Sequence, residues 1–158
     1  MAKSPEDFMR QAIALSAHKM EAGFGGPFAA IIVKGDEIVA QGFNRVTSAN
    51  DPTAHAEIVA IREACQELGS FSLEGCEIYS SCEPCPMCLA AVYWARLDKI
   101  YYANTRLDAA EIGFDDDHLY REISKKIEAR VLPMVRIDLP EARAVFRQWQ
   151  DKPDKVMY

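Results

Sequence analysis

Four side chains stand out for the chemistry they could do together: His55 and Glu57 in a His-Ala-Glu run, and Cys85 and Cys88 in a Cys-Pro-Met-Cys run. Imidazole nitrogen and thiolate sulfur are zinc ligands, and a catalytic zinc site keeps three protein ligands and leaves a fourth position to water. Three strong ligands are present here, His55, Cys85 and Cys88, so the pattern predicts one metal ion with an open position. Two thiolates and one imidazole favour zinc over iron. Water bound to zinc loses much of its pKa, and hydroxide becomes available near neutral pH. Glu57 is close enough to such a water to collect its proton and hand it to a substrate without being a ligand itself.

Other readings of these residues stay open at this level. A Cys-x-x-Cys pair also serves as a thioredoxin-like redox motif, but that leaves His55 and Glu57 without a role. A structural zinc site wants a fourth ligand, which Cys82 could supply. Such a site has no need of an acid beside it. Cys82 reads more simply as a small buried residue at a strand end, and Cys65 and Cys76 as core cysteines. The five cysteines are odd in number and three of them fall between 82 and 88, which is not a disulfide framework. In a reducing compartment such clustering points to metal or redox chemistry.

Elements must bring these groups together. Residues 5–22 read as a helix, with Ser4 as N-cap, Pro5 at the first position and Gly23 as stop. Phe8, Met9, Ile13, Ala17 and Met20 form its expected apolar stripe. Two apolar, β-branched runs, 28–34 and 37–42, flank Gly35-Asp36 and predict a hairpin. Residues 53–68 read as a helix that Asp51-Pro52-Thr53 starts and Gly69 ends, burying Ile58, Ile61, Cys65 and Leu68. Strands are expected over 76–81, 99–103 and 131–137, and helices over 86–95 and 140–150, with a mixed segment at 105–124. Helix starts suit the cysteines, because free N–H groups and the positive dipole end favour thiolate over thiol. Helices alternating with strands predict an α/β, three-layer α/β/α sandwich.

A chain of 158 residues fits one domain, read here as 1–150 followed by a polar tail, 151–158, that ends in Val156-Met157-Tyr158. The net charge of −6 argues against a phosphate-rich partner, since nucleic-acid binders present a basic face. No nucleic acid is therefore expected, and a small uncharged substrate is the simpler expectation. Residues 1–7 carry no signal-like apolar stretch, and the apolar run at 88–95 is too short for a membrane span. No membrane association and a cytoplasmic location are expected.

Thr53-Ala-His-Ala-Glu57 with Cys82-Glu-Pro-Cys-Pro-Met-Cys88 resembles the cytidine-deaminase-like zinc deaminase superfamily, whose signature is His-x-Glu followed by Pro-Cys-x-x-Cys. Gly25-Gly-Pro-Phe28, Asn50 to Glu57, Tyr93-Trp-Ala-Arg96, Asp108-Ala-Ala-Glu111, Gly113-Phe-Asp-Asp116 and the terminal Tyr158 are similar to the bacterial guanine deaminases within it. The resemblance spans nearly the whole chain. It implies a central mixed five-stranded sheet and one zinc ion per subunit. It also implies hydrolytic deamination of guanine to xanthine and ammonia. Guanosine, cytosine, adenosine in tRNA, or a non-catalytic zinc-binding role stand as alternatives. Residue by residue, Glu57 and Asp116 would be catalytic, with Asp116 facing the amino group. Asn44 would hydrogen-bond the purine, and Phe28 and Trp94 would line or stack on it. Tyr158 would close the site, from the same chain or from the partner of a homodimer with exchanged C-terminal segments. By position alone, Asn44 also reads as a turn residue, Phe28 and Trp94 as core packing, and Asp116 as a helix cap in an Asp-Asp-Asp run.

Overall fold

The computed structural model describes residues 3–158; Met1 and Ala2, at the start of the segment read for a signal peptide, lie outside the described residues. The elements in order are α1 (Pro5–Glu21), β1 (Ala29–Lys34), β2 (Glu37–Phe43), α2 (Val46–Ala49), α3 (Ala56–Leu68), β3 (Cys76–Cys82), α4 (Pro86–Trp94), β4 (Lys99–Asn104), α5 (Arg106–Glu111), α6 (Asp116–Ser124) and α7 (Pro140–Asp151), with a single 3-10 turn at Ile127–Ala129 between the last two. The chain divides into two compact units, Met1–Tyr120 and Arg121–Tyr158.

In the first unit the sheet order is β2-β1-β3-β4, with β1 antiparallel to both neighbours and β3 parallel to β4. The parallel pair requires a crossover, and α4 supplies it. Side chains alternate across β1, as a doubly covered strand demands. Ala30 and Ile32 pack toward α3 and α4 with Ala40, Ile78 and Val92, while Ile31 and Val33 pack toward α1 with Phe8, Ala12 and Tyr79. Helices therefore cover both faces, giving the three-layer arrangement.

Ser4 caps α1 reciprocally with Asp7: the Asp7 N–H donates to Ser4 Oγ and the Ser4 N–H donates to the Asp7 carboxylate. The expected boundaries of α1 hold, but its buried face is the expected one only at Phe8 and, in part, Met9. Phe8, Ala12 and Ser16 are buried, whereas Ile13 and Met20 are exposed. Helix α3 shows the same shift. Ala56, Glu57, Ala60 and Ala64 face the sheet; Ile58, Ile61 and Cys65 are only partly buried and Leu68 is exposed. The reason lies across the contact at Gly42 of β2, where an added Cβ would sit 2.5 Å from the Ala60 nitrogen. Strand and helix approach so closely that only small residues fit between them.

The sheet has four strands, so the expected fifth is corrected. Residues 131–137 form no ladder among the described residues, and Val131, Leu132, Val135 and Ile137 are exposed. A β-branched, apolar run becomes a strand only where a neighbouring strand accepts its hydrogen bonds. No residue between 121 and 158 is buried.

Candidate active site

The site forms where two helices begin. His55 is the N-cap of α3 and Cys85 the N-cap of α4, both with extended backbone; Cys88 lies in the first turn of α4 behind Pro86. A hydrogen-bonded turn at Asp51, whose carboxylate accepts from the Thr53 N–H at 2.8 Å and the Thr53 hydroxyl at 2.7 Å, leads the chain into His55. Cys85 follows the carboxyl end of β3, the place where α/β sheets commonly bind ligands.

His55 Nδ1 lies 3.5 Å from the Cys85 sulfur and 3.5 Å from the Cys88 sulfur, and the three ligand atoms fall within 4.8 Å of one another. A tetrahedral zinc with Zn–S near 2.3 Å and Zn–N near 2.0 Å needs N···S edges of about 3.5 Å. The donor set and its spacing both fit zinc. A hydrogen bond from Cys88, helped by His55 and the Cys88 N–H, holds the Cys85 thiol down to about pKa 4. The same bond and burial push Cys88 up. The Cys85 sulfur pushes His55 up as well. Cys82 stands apart from the cluster: its sulfur approaches the Thr105 carbonyl oxygen at 3.7 Å, and burial pushes its pKa up to about 11. It is not among the ligand atoms that gather within 4.8 Å of one another and does not complete a four-ligand site.

Glu57, buried at 6% exposure, accepts a hydrogen bond from Ser80 Oγ at 2.7 Å. Ser80 was not legible as a site residue. The only sign of it is a pair of serines, Ser80 and Ser81, in a strand where every residue but Glu77 is buried. The second serine accepts the Ala29 N–H at 3.0 Å and locks the start of β1.

A cavity of about 240 Å³ opens on these groups, lined among others by Phe28, Asn44, His55, Glu57, Phe114 and Asp116. Asn44 is buried, and its side-chain oxygen accepts the N–H groups of Val46 at 3.1 Å and Gly26 at 3.4 Å. Its amide nitrogen is the atom left to face a ligand. Phe28 packs edge-on against Phe114, with centroids 4.9 Å apart. In the Asp-Asp-Asp run it is Asp115 that accepts the His118 N–H, at 3.3 Å, so Asp116 is released from capping and lines the cavity. Burial pushes the Asp116 pKa up, with the Cys85 charge adding to it. Trp94 does not line this cavity; it is 66% exposed beside Tyr93 and Arg96 on a shallow surface depression. Tyr158 lies in the second unit and is exposed.

An α/β/α sandwich with an imidazole, two cysteines and a buried glutamate at the starts of two helices defines a zinc-binding deaminase. Residues 2–104 match the cytidine and deoxycytidylate deaminase zinc-binding region, and the chain belongs to that family. It is 49% identical over 153 residues to the guanine deaminase of Bacillus subtilis (strain 168), an alignment covering 97% of this chain and 98% of that one. The X-ray structure of guanine deaminase from Bacillus subtilis superposes with a TM-score of 0.96 at 48% identity, over 99% of each chain. A tRNA-specific adenosine deaminase of Aquifex aeolicus (strain VF5) is 43% identical over 98 residues, 62% of this chain and 64% of that one. The resemblance noted in the motifs therefore extends over the full length.

Proposed function

We propose that this chain hydrolyses guanine to xanthine and ammonia. The observation that carries the proposal is one cavity that opens on His55, Cys85, Glu57 and Asn44, with Cys88 grouped with His55 and Cys85 behind it, in a chain 49% identical to a guanine deaminase over nearly its whole length. The cavity, about 240 Å³, is small beside the roughly 300–1,000 Å³ of pockets for drug-sized ligands. It suits a free base better than a nucleotide. Zinc held by His55, Cys85 and Cys88 would lower the pKa of a water molecule so that it can attack near neutral pH. Glu57 takes the water's proton, delivers it to a ring nitrogen of the base, and then carries a proton to the leaving amine. Asn44 donates its amide N–H to an acceptor on the purine. Phe28 offers a ring face or edge to the base, and Asp116 sits where the amino group leaves.

The second copy of the chain belongs to this reading. Arg121–Tyr158 is a unit without a buried residue, and segments of fewer than about 40 residues seldom fold without a staple or a partner. Its exposed Phe146, Val156, Met157 and Tyr158 are suited to docking. A homodimer with exchanged C-terminal segments would use them and would allow Tyr158 to reach a base in the partner's cavity. The tail, 151–158, is then the part that closes the site, and deleting it should abolish turnover and shift the oligomeric state. No helix among the described residues is long and apolar enough to cross a membrane, and we place the enzyme in the cytoplasm.

Ammonia release measured across guanine, guanosine, cytosine, adenine and a tRNA anticodon stem tests the substrate. Guanine should react fastest; a preference for the tRNA would move the chain to the adenosine branch. The acidic balance and the shorter match to the tRNA enzyme speak for guanine.

A further inference from the structure

We infer that Tyr120 is a positioning residue that sets where Asp116 stands in the cavity; the inference rests on the role proposed for Asp116. Helix α6 carries Asp116 and Tyr120 one turn apart, on one face. None of its residues is buried. Tyr120 ties it to the metal-binding loop. Its hydroxyl donates to the Pro84 carbonyl oxygen at 2.7 Å. Its ring lies under the Arg106 guanidinium, 4.6 Å from the centroid. The Arg106 N–H in turn donates to the Glu83 carboxylate at 3.0 Å. Glu83 and Pro84 directly precede the ligand Cys85, so these three contacts close a circuit from the metal-binding loop to α6 and back.

The geometry explains why Asp116 needs such an anchor. Two residues before it, Phe114 stacks edge-on with Phe28, and four residues after it Tyr120 holds the loop that carries Cys85. Asp116 is pinned between a residue of the cavity wall and a residue of the metal-binding loop. With the Tyr120 hydrogen bond removed, the helix keeps Phe114 as a pivot and the carboxylate swings. A shift of about 1 Å in a catalytic group can cost up to about a hundredfold in rate.

Tyr120→Phe is the test, because it deletes the hydrogen bond and keeps the ring over Arg106. Steady-state rates on guanine, zinc content, melting temperature and binding of the unreactive product xanthine are measured for Y120F, for D116N and for the double variant. Y120F should lose roughly tenfold in kcat, with zinc content unchanged and with KM and xanthine binding within about twofold of the parent. In the D116N background it should lose less than about twofold, because the group it positions is gone. Simple loosening of the fold would cost the same factor in both backgrounds. Equal losses in both, an unchanged kcat in Y120F, or a loss that follows departing zinc would each overturn the latch. A fully active D116N would overturn the reading of Asp116 itself.

Discussion

Ser80 Oγ donates to Glu57 Oε1 at 2.7 Å, and both residues are buried. A carboxylate meant to move a proton is thus oriented from β3, across the contact between α3 and the sheet. Replacing Ser80 with Ala removes a hydrogen bond to a charged group, worth about 1.5–3 kcal/mol in a buried setting. Only part of that is expected in the transition state, so kcat should fall roughly tenfold, with zinc content and KM nearly unchanged. Steady-state kinetics alongside metal analysis would check this. Glu57→Gln should go further and remove turnover while zinc stays bound.

Gly42 decides how closely β2 approaches α3. A Cβ there would meet the Ala60 backbone nitrogen at 2.5 Å and the Ala60 side chain at 2.9 Å. Gly42→Ala should destabilise the fold by about 1–3 kcal/mol or more, the range of overpacked cores. It should also weaken zinc binding, because α3 carries His55. Denaturant unfolding and a competitive zinc titration would show both effects; unchanged values would mean that the contact relaxes freely.

Asn44 lines the cavity with its side-chain oxygen engaged by Gly26 and Val46, which leaves its nitrogen as the group available to a ligand. Asn44→Asp keeps the acceptor for both backbone groups and replaces the free donor with a second, charged oxygen. The fold should survive and kcat/KM on guanine should drop at least tenfold, about 1.4 kcal/mol or more. Gly25→Ala should act on the same group from behind, since its Cβ would lie 2.5 Å from Asn44 Oδ1. Circular dichroism with kinetics separates loss of contact from loss of structure.

Cys82 offers a clean test of the ligand set. Its sulfur lies outside the group formed by His55, Cys85 and Cys88 and turns to the Thr105 carbonyl oxygen at 3.7 Å. Cys82→Ala should retain one zinc per chain, whereas Cys85→Ala or Cys88→Ala should lose it. Metal analysis of the purified variants decides; loss of zinc from Cys82→Ala would make the site a closed structural one.

His55, Glu57, Cys85 and Cys88 were legible from the chain alone, because a ligand set is a matter of residue type and short spacing at the start of a helix. The hairpin around Gly35 and the crossover helix α4 were legible for the same local reason. What the tertiary structure decided was non-local. The alanine face of α3 is buried in place of its isoleucines because Gly42 brings a strand against it. Asp116 lines the cavity because its neighbour Asp115 takes the capping bond. Trp94, an aromatic on an apolar helix, is left outside that cavity. The run at 131–137 carries strand chemistry but has no strand beside it. Composition and periodicity state what each segment can do; the distance to the next element, which no short stretch encodes, determines which of those options is realised.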